Sequence, residues 1–294
     1  MDRIRDVDKY PTWIATNFYP NPSALYCTFL RSLNWTRIYV VIEGERFGDY
    51  YYYLSKFVLL QFKNCGLQSW QYTCRGPNDT CSPSEVDTML LDFHSKTRIM
   101  VLFGRPQVMR DILIQASRLN MTAGDHVYVG NVLYGNTRKA TDGFFAWHWR
   151  GTSNSSMHIL QKAFQSVLLL HMVNVKHFMS PNIQKYVPDW ERLAKHKYGN
   201  INLTHELGLP DLTSTQVAME LVGKIISEAN ASNIHSFSGS TLARKILNRQ
   251  YNLTVGSTFV TPQGQMQYKT YASYYDTETS EFTVIINYNR IYCK

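Results

Sequence analysis

The chain has 294 residues, of which 44% are hydrophobic, 14% aromatic and 18% charged, the composition of a folded globular protein with one or two domains. A chain of this size buries most of the surface its unfolded form exposes, so it does not depend on disulfide staples for a core. Its formal net charge of +8 is spread along the sequence. That spread reads as solubilising surface charge and excludes a basic stripe of the kind that binds nucleic acid.

The first predicted helix runs from Pro22 to Leu33. Asn21 can cap it, Pro22 suits its first turn, and Leu25, Phe29, Leu30 and Leu33 make one face. Thr36 to Glu43 is apolar and β-branched, a buried strand. A helix over Tyr50 to Phe62 and a short strand over Ser69 to Thr73 follow. Ser82, Pro83 and Glu85 carry the capping-box pattern for a helix to Phe93, with Val86, Leu90 and Phe93 inward. Arg98 to Gly104 is another buried strand, and Pro106 opens a helix with Val108, Ile112, Ala116 and Leu119 on one face. His126 to Gly130 is the next strand.

Strand and helix therefore alternate from Thr36 to Gly130, the signature of a parallel sheet covered by helices. The second half reads differently. Helices are expected over Met157 to His171, Trp190 to His196, Thr213 to Ala229 and Ser240 to Gln250. In the third of these Thr213 and Gln216 form a capping box and Val217, Leu221, Val222, Ile225 and Ala229 a stripe. Extended segments follow over Ser257 to Thr261, Tyr268 to Tyr275 and Glu281 to Tyr288, with turns between them. A doubly wound domain normally opens on a strand, whereas this chain opens on a helix. The expectation is that βα units preceded Met1.

Asn-X-Ser/Thr occurs at Asn34, Asn78, Asn120, Asn154, Asn202, Asn230 and Asn252. Chance gives about three for this composition, so seven suggest a secreted, glycosylated protein. The opening residues have no apolar stretch of the secretory kind. Cys74 and Cys81 bracket a turn-rich loop and suggest a local disulfide. The count of five leaves at least one thiol over, and Cys293 pairs between chains, stays free, or joins Cys27 or Cys65.

Three stretches resemble the natriuretic peptide receptor and receptor guanylate cyclase family. YPTWIATNFYPNPSALYCTFLRSLNWTRIYVVIE is similar to the family's YPT segment leading through a helix into a strand. RIMVLFGRPQVMRDILIQASRLNMTAGDHVYV is similar to its strand, helix and GDYVF-like strand. LARKILNRQYNLTVGSTFVTPQGQMQYKTYASYYDTETSEFTVIINYN is similar to its C-terminal segment ending in NYN.

The resemblance implies an α/β, two-lobed, type I periplasmic-binding-protein-like fold: parallel sheets flanked by helices, with the first lobe incomplete. The implied organisation is 1–34 as a remnant of lobe 1, 35–150 as lobe 2, 151–260 as a continuation of lobe 1, and 261–294 as strands returning to lobe 2 and the juxtamembrane end. An incomplete first lobe predicts a chain that folds poorly alone. The implied function is the extracellular ligand-binding region of a cell-surface receptor. Its ligand would be a peptide hormone, its active form a homodimer, and its signal would pass to a guanylate cyclase or short tail beyond this chain, attached to the membrane only through a segment absent here. The alternative of the same fold is a module for amino-acid-like small molecules.

By the same resemblance, Tyr52 and Tyr53 stand where two aromatics touch the hormone, and Lys56 stands where the family often has an acid. The other reading of these tyrosines is the first turn of a packed helix. Glu43 and Glu45 lie at the carboxyl end of a central strand, the edge that faces ligand, where they pair with a basic peptide or form a solvated loop. The glycine-rich phosphate turn, nucleophile-elbow and zinc-protease motifs are all missing, so no catalytic residue, metal site or cofactor is expected.

Overall fold

The computed structural model describes residue 14 and residues 22–74, 81–132, 154–171, 181–199, 209–232, 238–262, 264–267, 270–279 and 281–288. The chain divides into two compact units. One comprises residues 21–137, 142–172 and 270–294, the other residues 1–20, 138–141 and 173–269.

The larger unit holds a seven-stranded sheet. In chain order its elements are α1 (Pro22–Ser32), β1 (Arg37–Ile42), α2 (Glu45–Asn64), β2 (Gln68–Thr73), α3 (Pro83–Lys96), β3 (Ile99–Phe103), α4 (Pro106–Arg118), β4 (Val127–Val132), α5 (Asn154–Ala163) and β5 (Val167–His171). The strands β9 (Thr270–Asp276) and β10 (Glu281–Tyr288) complete it. The spatial order is β10-β9-β5-β4-β3-β1-β2. Strands β1 to β5 pair in parallel, while β9 runs antiparallel to both β5 and β10. The parallel stretch from Thr36 to Gly130 is thus as the sequence predicts.

Burial explains the order. Every residue of β3 and all of β1 after Arg37 are buried, which suits strands with helices on both faces. The polar β2 is only partly buried and lies at an edge. On one face Tyr39, Val41, Met100, Leu102 and Tyr128 meet Val86, Leu90 and Phe93 of α3 and Met109, Ile112 and Ala116 of α4. Helix α2 buries Tyr51, Leu54, Val58 and Phe62, one stripe at helical spacing, and packs against α1. Gly66, with φ +73°, ends α2 by letting the Leu67 N–H reach back to the Phe62 carbonyl at 2.9 Å. At α3 the capping box forms in full: Ser82 Oγ accepts the Glu85 N–H at 3.4 Å, and Glu85 Oε2 accepts the Ser82 N–H at 2.8 Å.

Two disulfides tie this unit. Cys27 of α1 joins Cys65 at the end of α2, and Cys74 joins Cys81 as the sequence suggests. Cys27 and Cys65 are therefore closed to Cys293, which lies outside the described residues.

The smaller unit contains α6 (Pro181–Gln184), α7 (Val187–Tyr198), α8 (Leu209–Ala231), α9 (Gly239–Ile246), and an antiparallel sheet of β6 (Arg249–Leu253), β7 (Gly256–Val260) and β8 (Met266–Gln267). Helix α8 buries Val217, Leu221, Ile225 and Ala229.

Four expectations are corrected. The helix over Met157 to His171 ends at Ala163; a 3-10 turn over Phe164–Ser166 leads into β5, because Val167 to Leu170 fill an interior slot between β4 and β9. A short apolar run satisfies a buried helix or a buried strand equally, and here strand pairing decides. Thr213 is fully buried inside α8, which starts four residues earlier at Leu209, so it does not cap that helix. Val222, read as part of the α8 stripe, is 45% exposed. Helix α9 stops at Ile246, Asn248 takes φ 54°, and residues from Arg249 onward form β6.

The division also differs from the sequence-based one. Helix α1 and residues 154–171 belong with β1–β4, the former through α2 and the latter through β5 on β4. The Asn21 cap lies outside the described residues.

Candidate functional site at the carboxyl edge of the sheet

In the order β2-β1-β3-β4-β5, the connections leave β1 and β3 in opposite directions along the sheet. That reversal makes the carboxyl ends of β1 and β3 the topological switch point, the place where open α/β sheets bind ligands. The residues that follow these two strands are Glu43 and the pair Gly104-Arg105.

The Glu43 side chain is fully buried. One carboxylate oxygen accepts the Arg105 backbone N–H at 2.7 Å. The other accepts Arg105 Nε at 2.6 Å and the neighbouring guanidinium nitrogen at 2.5 Å. The Glu43 N–H in turn donates to the Phe103 carbonyl at 2.9 Å. Gly104 makes the approach possible, because a Cβ there would sit 3.1 Å from the Glu43 Cβ and 3.3 Å from its Oε2. A carboxylate without water survives only when paired and hydrogen-bonded in this way. Glu43 is thus neither a solvated loop residue nor a surface carboxylate available to a basic peptide. Its charge is met from within the protein, and the group that reaches the surface is Arg105, with a side chain 36% exposed.

Further along the same edge, Asn131 of β4 is completely buried. Its Nδ2 donates to the Leu102 carbonyl at 2.6 Å, and its Oδ1 has no hydrogen-bond partner among the described residues. His171 at the end of β5 shares a hydrogen bond of 2.7 Å with Ser273 of β9. Burial pushes its pKa down to about 3, so it is neutral at physiological pH. Sequence reasoning found Glu43 and missed Arg105, Asn131 and His171. A signal for Arg105 was present in its position directly after a buried strand and before a helix-opening proline.

The aromatic residues lie on α2. Tyr53 is 54% exposed, Tyr52 is half-buried, and their rings meet edge to face at 5.6 Å. Lys56 is exposed, with its ammonium 4.8 Å from the Tyr52 ring centre. Phe57 and Leu60 are exposed on the same helix. The buried stripe runs through Tyr51 and Leu54 instead, so Tyr53 is not a core residue of its first turns. Glu45 opens α2, and its side chain lies outside the described residues.

Of the sequons, Asn34, Asn120, Asn230 and Asn252 are exposed. The side chain of Asn154 lies outside the described residues, as do Asn78 and Asn202. Among the described residues no group of three or more His, Cys, Asp or Glu is placed to hold a metal, and no helix is long and apolar enough to cross a membrane.

Comparison with known proteins places this geometry. None of the curated proteins compared with the chain matches it. Among solved structures, a leucine-binding protein from Thermotoga maritima is similar over 92% of the chain, with a TM-score of 0.51 and 17% identity. An amino acid ABC transporter substrate-binding protein from Pseudomonas fluorescens is similar over 91% of the chain, with a TM-score of 0.48 and 14% identity. The chain spans 66% and 64% of the lengths of these two proteins. The fold is of the type I periplasmic-binding-protein kind, α/β with a mostly parallel sheet flanked by helices. The family described as receptor family ligand binding region matches residues 1–274, and with that extent of agreement the chain belongs to it.

Proposed function

We propose that the chain is the ligand-binding extracellular region of a cell-surface receptor and that its ligand is a peptide. The observation that supports the peptide reading is the outer face of α2, where Tyr52, Tyr53 and Lys56 stand beside exposed Phe57 and Leu60. Exposed aromatics with few rotatable bonds are what peptide interfaces use as anchors. The two disulfides and the four exposed sequon asparagines suit an oxidising, glycosylating compartment. The resemblance extends the proposal to a pair of such chains holding one peptide and signalling to a guanylate cyclase or short tail.

A second reading is favoured by the switch in strand order at β1 and β3 and by a fold neighbour that is a leucine-binding protein. Selection from a random displayed-peptide library on the immobilised chain separates the two. It is followed by calorimetry of an enriched peptide and of the twenty free L-amino acids. The peptide reading expects saturable peptide heat that falls about tenfold or more in affinity in Y52A/Y53A. Saturable heat from a free amino acid, unchanged in Y52A/Y53A, supports the second reading instead. No heat from either class overturns both.

A further inference from the structure

We infer that Asn230 carries an N-linked oligosaccharide and that its first sugars lie over an apolar outer row of α8. The inference goes beyond the ligand-binding reading and rests only on the extracellular placement in it. Helix α8 is apolar on two opposite faces. Val217, Leu221, Ile225 and Ala229 are buried on one. Met219, Val222 and Ile226 are exposed by 69%, 45% and 39% on the other. A helix that is apolar all round normally has both faces covered, and a contiguous exposed apolar patch marks a contact. Gly223 stands beside Val222 and is itself exposed, and a Cβ there would meet nothing within 4 Å, so the row is open from outside.

The next position in that row is Asn230. Residues four apart on a helix stand one above the other, so Val222, Ile226 and Asn230 share a column, with Met219 one turn before Val222. Asn230 opens the sequon Asn-Ala-Ser and is exposed. The Cα–Cβ bonds of a helix tilt toward its amino end, so Asn230 directs whatever it carries back over the turn of Ile226. At a rise of about 1.5 Å per residue, Ile226 and Val222 lie roughly 6 Å and 12 Å away along the axis, within reach of the first sugars. The row bears no charge. Lys224 and Glu228 lie off it, and Glu228 is held by Arg249 at 2.6 Å and 2.7 Å. A neutral sugar, with C–H faces and N-acetyl methyl groups, suits an uncharged apolar row, and its hydroxyls keep the outer side in water. In the attachment step the Asn230 amide nitrogen bonds to the anomeric carbon of a lipid-diphosphate-linked oligosaccharide. The bond from that carbon to the diphosphate oxygen breaks, the lipid diphosphate leaves, and the amide loses one proton.

The test secretes the full chain from glycosylating eukaryotic cells and maps its glycopeptides by mass spectrometry, then compares wild type, N230Q and N252Q by binding of a fluorescent apolar dye. Occupancy at Asn230 is expected. Dye binding should rise about twofold or more in N230Q but not in N252Q, whose sequon lies on β6 of the same unit. Adding V222S/I226S to N230Q should remove the rise. A bare Asn230, an unchanged signal in N230Q, or a rise that survives V222S/I226S overturns the inference. So does a dimer in sedimentation velocity that V222S/I226S dissociates with the sugar in place, since a second copy would then be the cover. The ligand-binding reading falls on separate ground, when neither peptides nor amino acids give heat.

Discussion

At the amino edge of the seven-stranded sheet the chain mostly turns on local devices, whereas at the carboxyl edge it relies on side chains brought together from distant positions. Asn34 after α1 and Asn120 after α4 take left-handed conformations with φ 57°, Gly66 ends α2, and the Thr97 hydroxyl closes onto the Arg37 carbonyl at 2.7 Å. At the other edge Glu43 binds Arg105 across 62 positions and His171 binds Ser273 across 102. At the first edge the asparagine and glycine turns are short-range, while the Thr97–Arg37 bond spans 60 positions. The second encloses charge and polarity that stability alone does not require, and it is the edge at which this fold takes ligands.

Breaking the ion pair at the carboxyl edge gives the largest expected effect. R105A leaves the Glu43 carboxylate buried and unpaired, and urea unfolding should show a loss of about 3–5 kcal/mol. E43Q/R105Q should regain most of it, since no buried charge remains. A loss as large in the double variant as in R105A would mean that the hydrogen-bond geometry, not the charge, holds this edge.

The two disulfides run against the contrast, because the longer loop is closed at the amino edge and the shorter at the carboxyl edge. Cys65 precedes β2 and its bond to Cys27 spans 38 positions; Cys74 follows β2 and its bond to Cys81 spans 7. Loop-closure entropy predicts a loss of about 4 kcal/mol for C27S/C65S and about 2 kcal/mol for C74S/C81S. Equal losses in denaturant titrations would show that loop length does not set the difference.

Histidine titration separates the edges by pH. At the amino edge His126 lies buried beside His94, with 3.0 Å between their ring nitrogens. Burial first, then the charges of Arg98 and His94, push its pKa down to about 4 against the opposing pull of Asp125. The unfolded chain takes up this proton near pH 6.5 and the folded chain only near 4, so the contribution of His126 is full above 6.5 and is lost as pH falls through that window. His171, at about 3, extends the same loss to lower pH at the carboxyl edge. H126Q should remove the His126 share of the stability loss between about pH 6.5 and 4 and leave the His171 share. A profile unchanged by H126Q would remove the buried amino-edge histidine as a cause.

The smallest expected effect is at a local device. N120A places a Cβ-bearing residue without a turn-forming side chain at φ 57° and should cost about 1 kcal/mol in thermal unfolding, while N120G should be nearly neutral. The same asparagine is a sequon, so loss of stability without any glycan present isolates its backbone role.

This contrast also explains what the sequence made legible. The strands β1, β3 and β4, the capping box at Ser82 and the loop closed by Cys74 and Cys81 were all readable, because their signals lie within a few residues. Glu43 could be placed at the end of β1, but not its partner, because nothing local to Glu43 points to Arg105. Helix α8 was misread at its start because Thr213 and Gln216 imitate a cap while the chain is already helical from Leu209. β5 was misread because a Val-Leu-Leu-Leu run has no period, and only its neighbours Asn131 and Ala272 on adjoining strands show it to be extended. The exposure of Tyr53 against the burial of Tyr51 likewise depends on where α1 packs, which a run of four tyrosines does not reveal.

The strand order carries a consequence for how the protein is made. β5 is complete at His171, yet its partner β9 begins only at Thr270, after residues 173–269 of the smaller unit. During translation the ribosome therefore emits an apolar strand with one open side long before the segment that covers it exists. Such an edge invites pairing with other nascent chains. The interval between those two strands is when the protein most needs a chaperone.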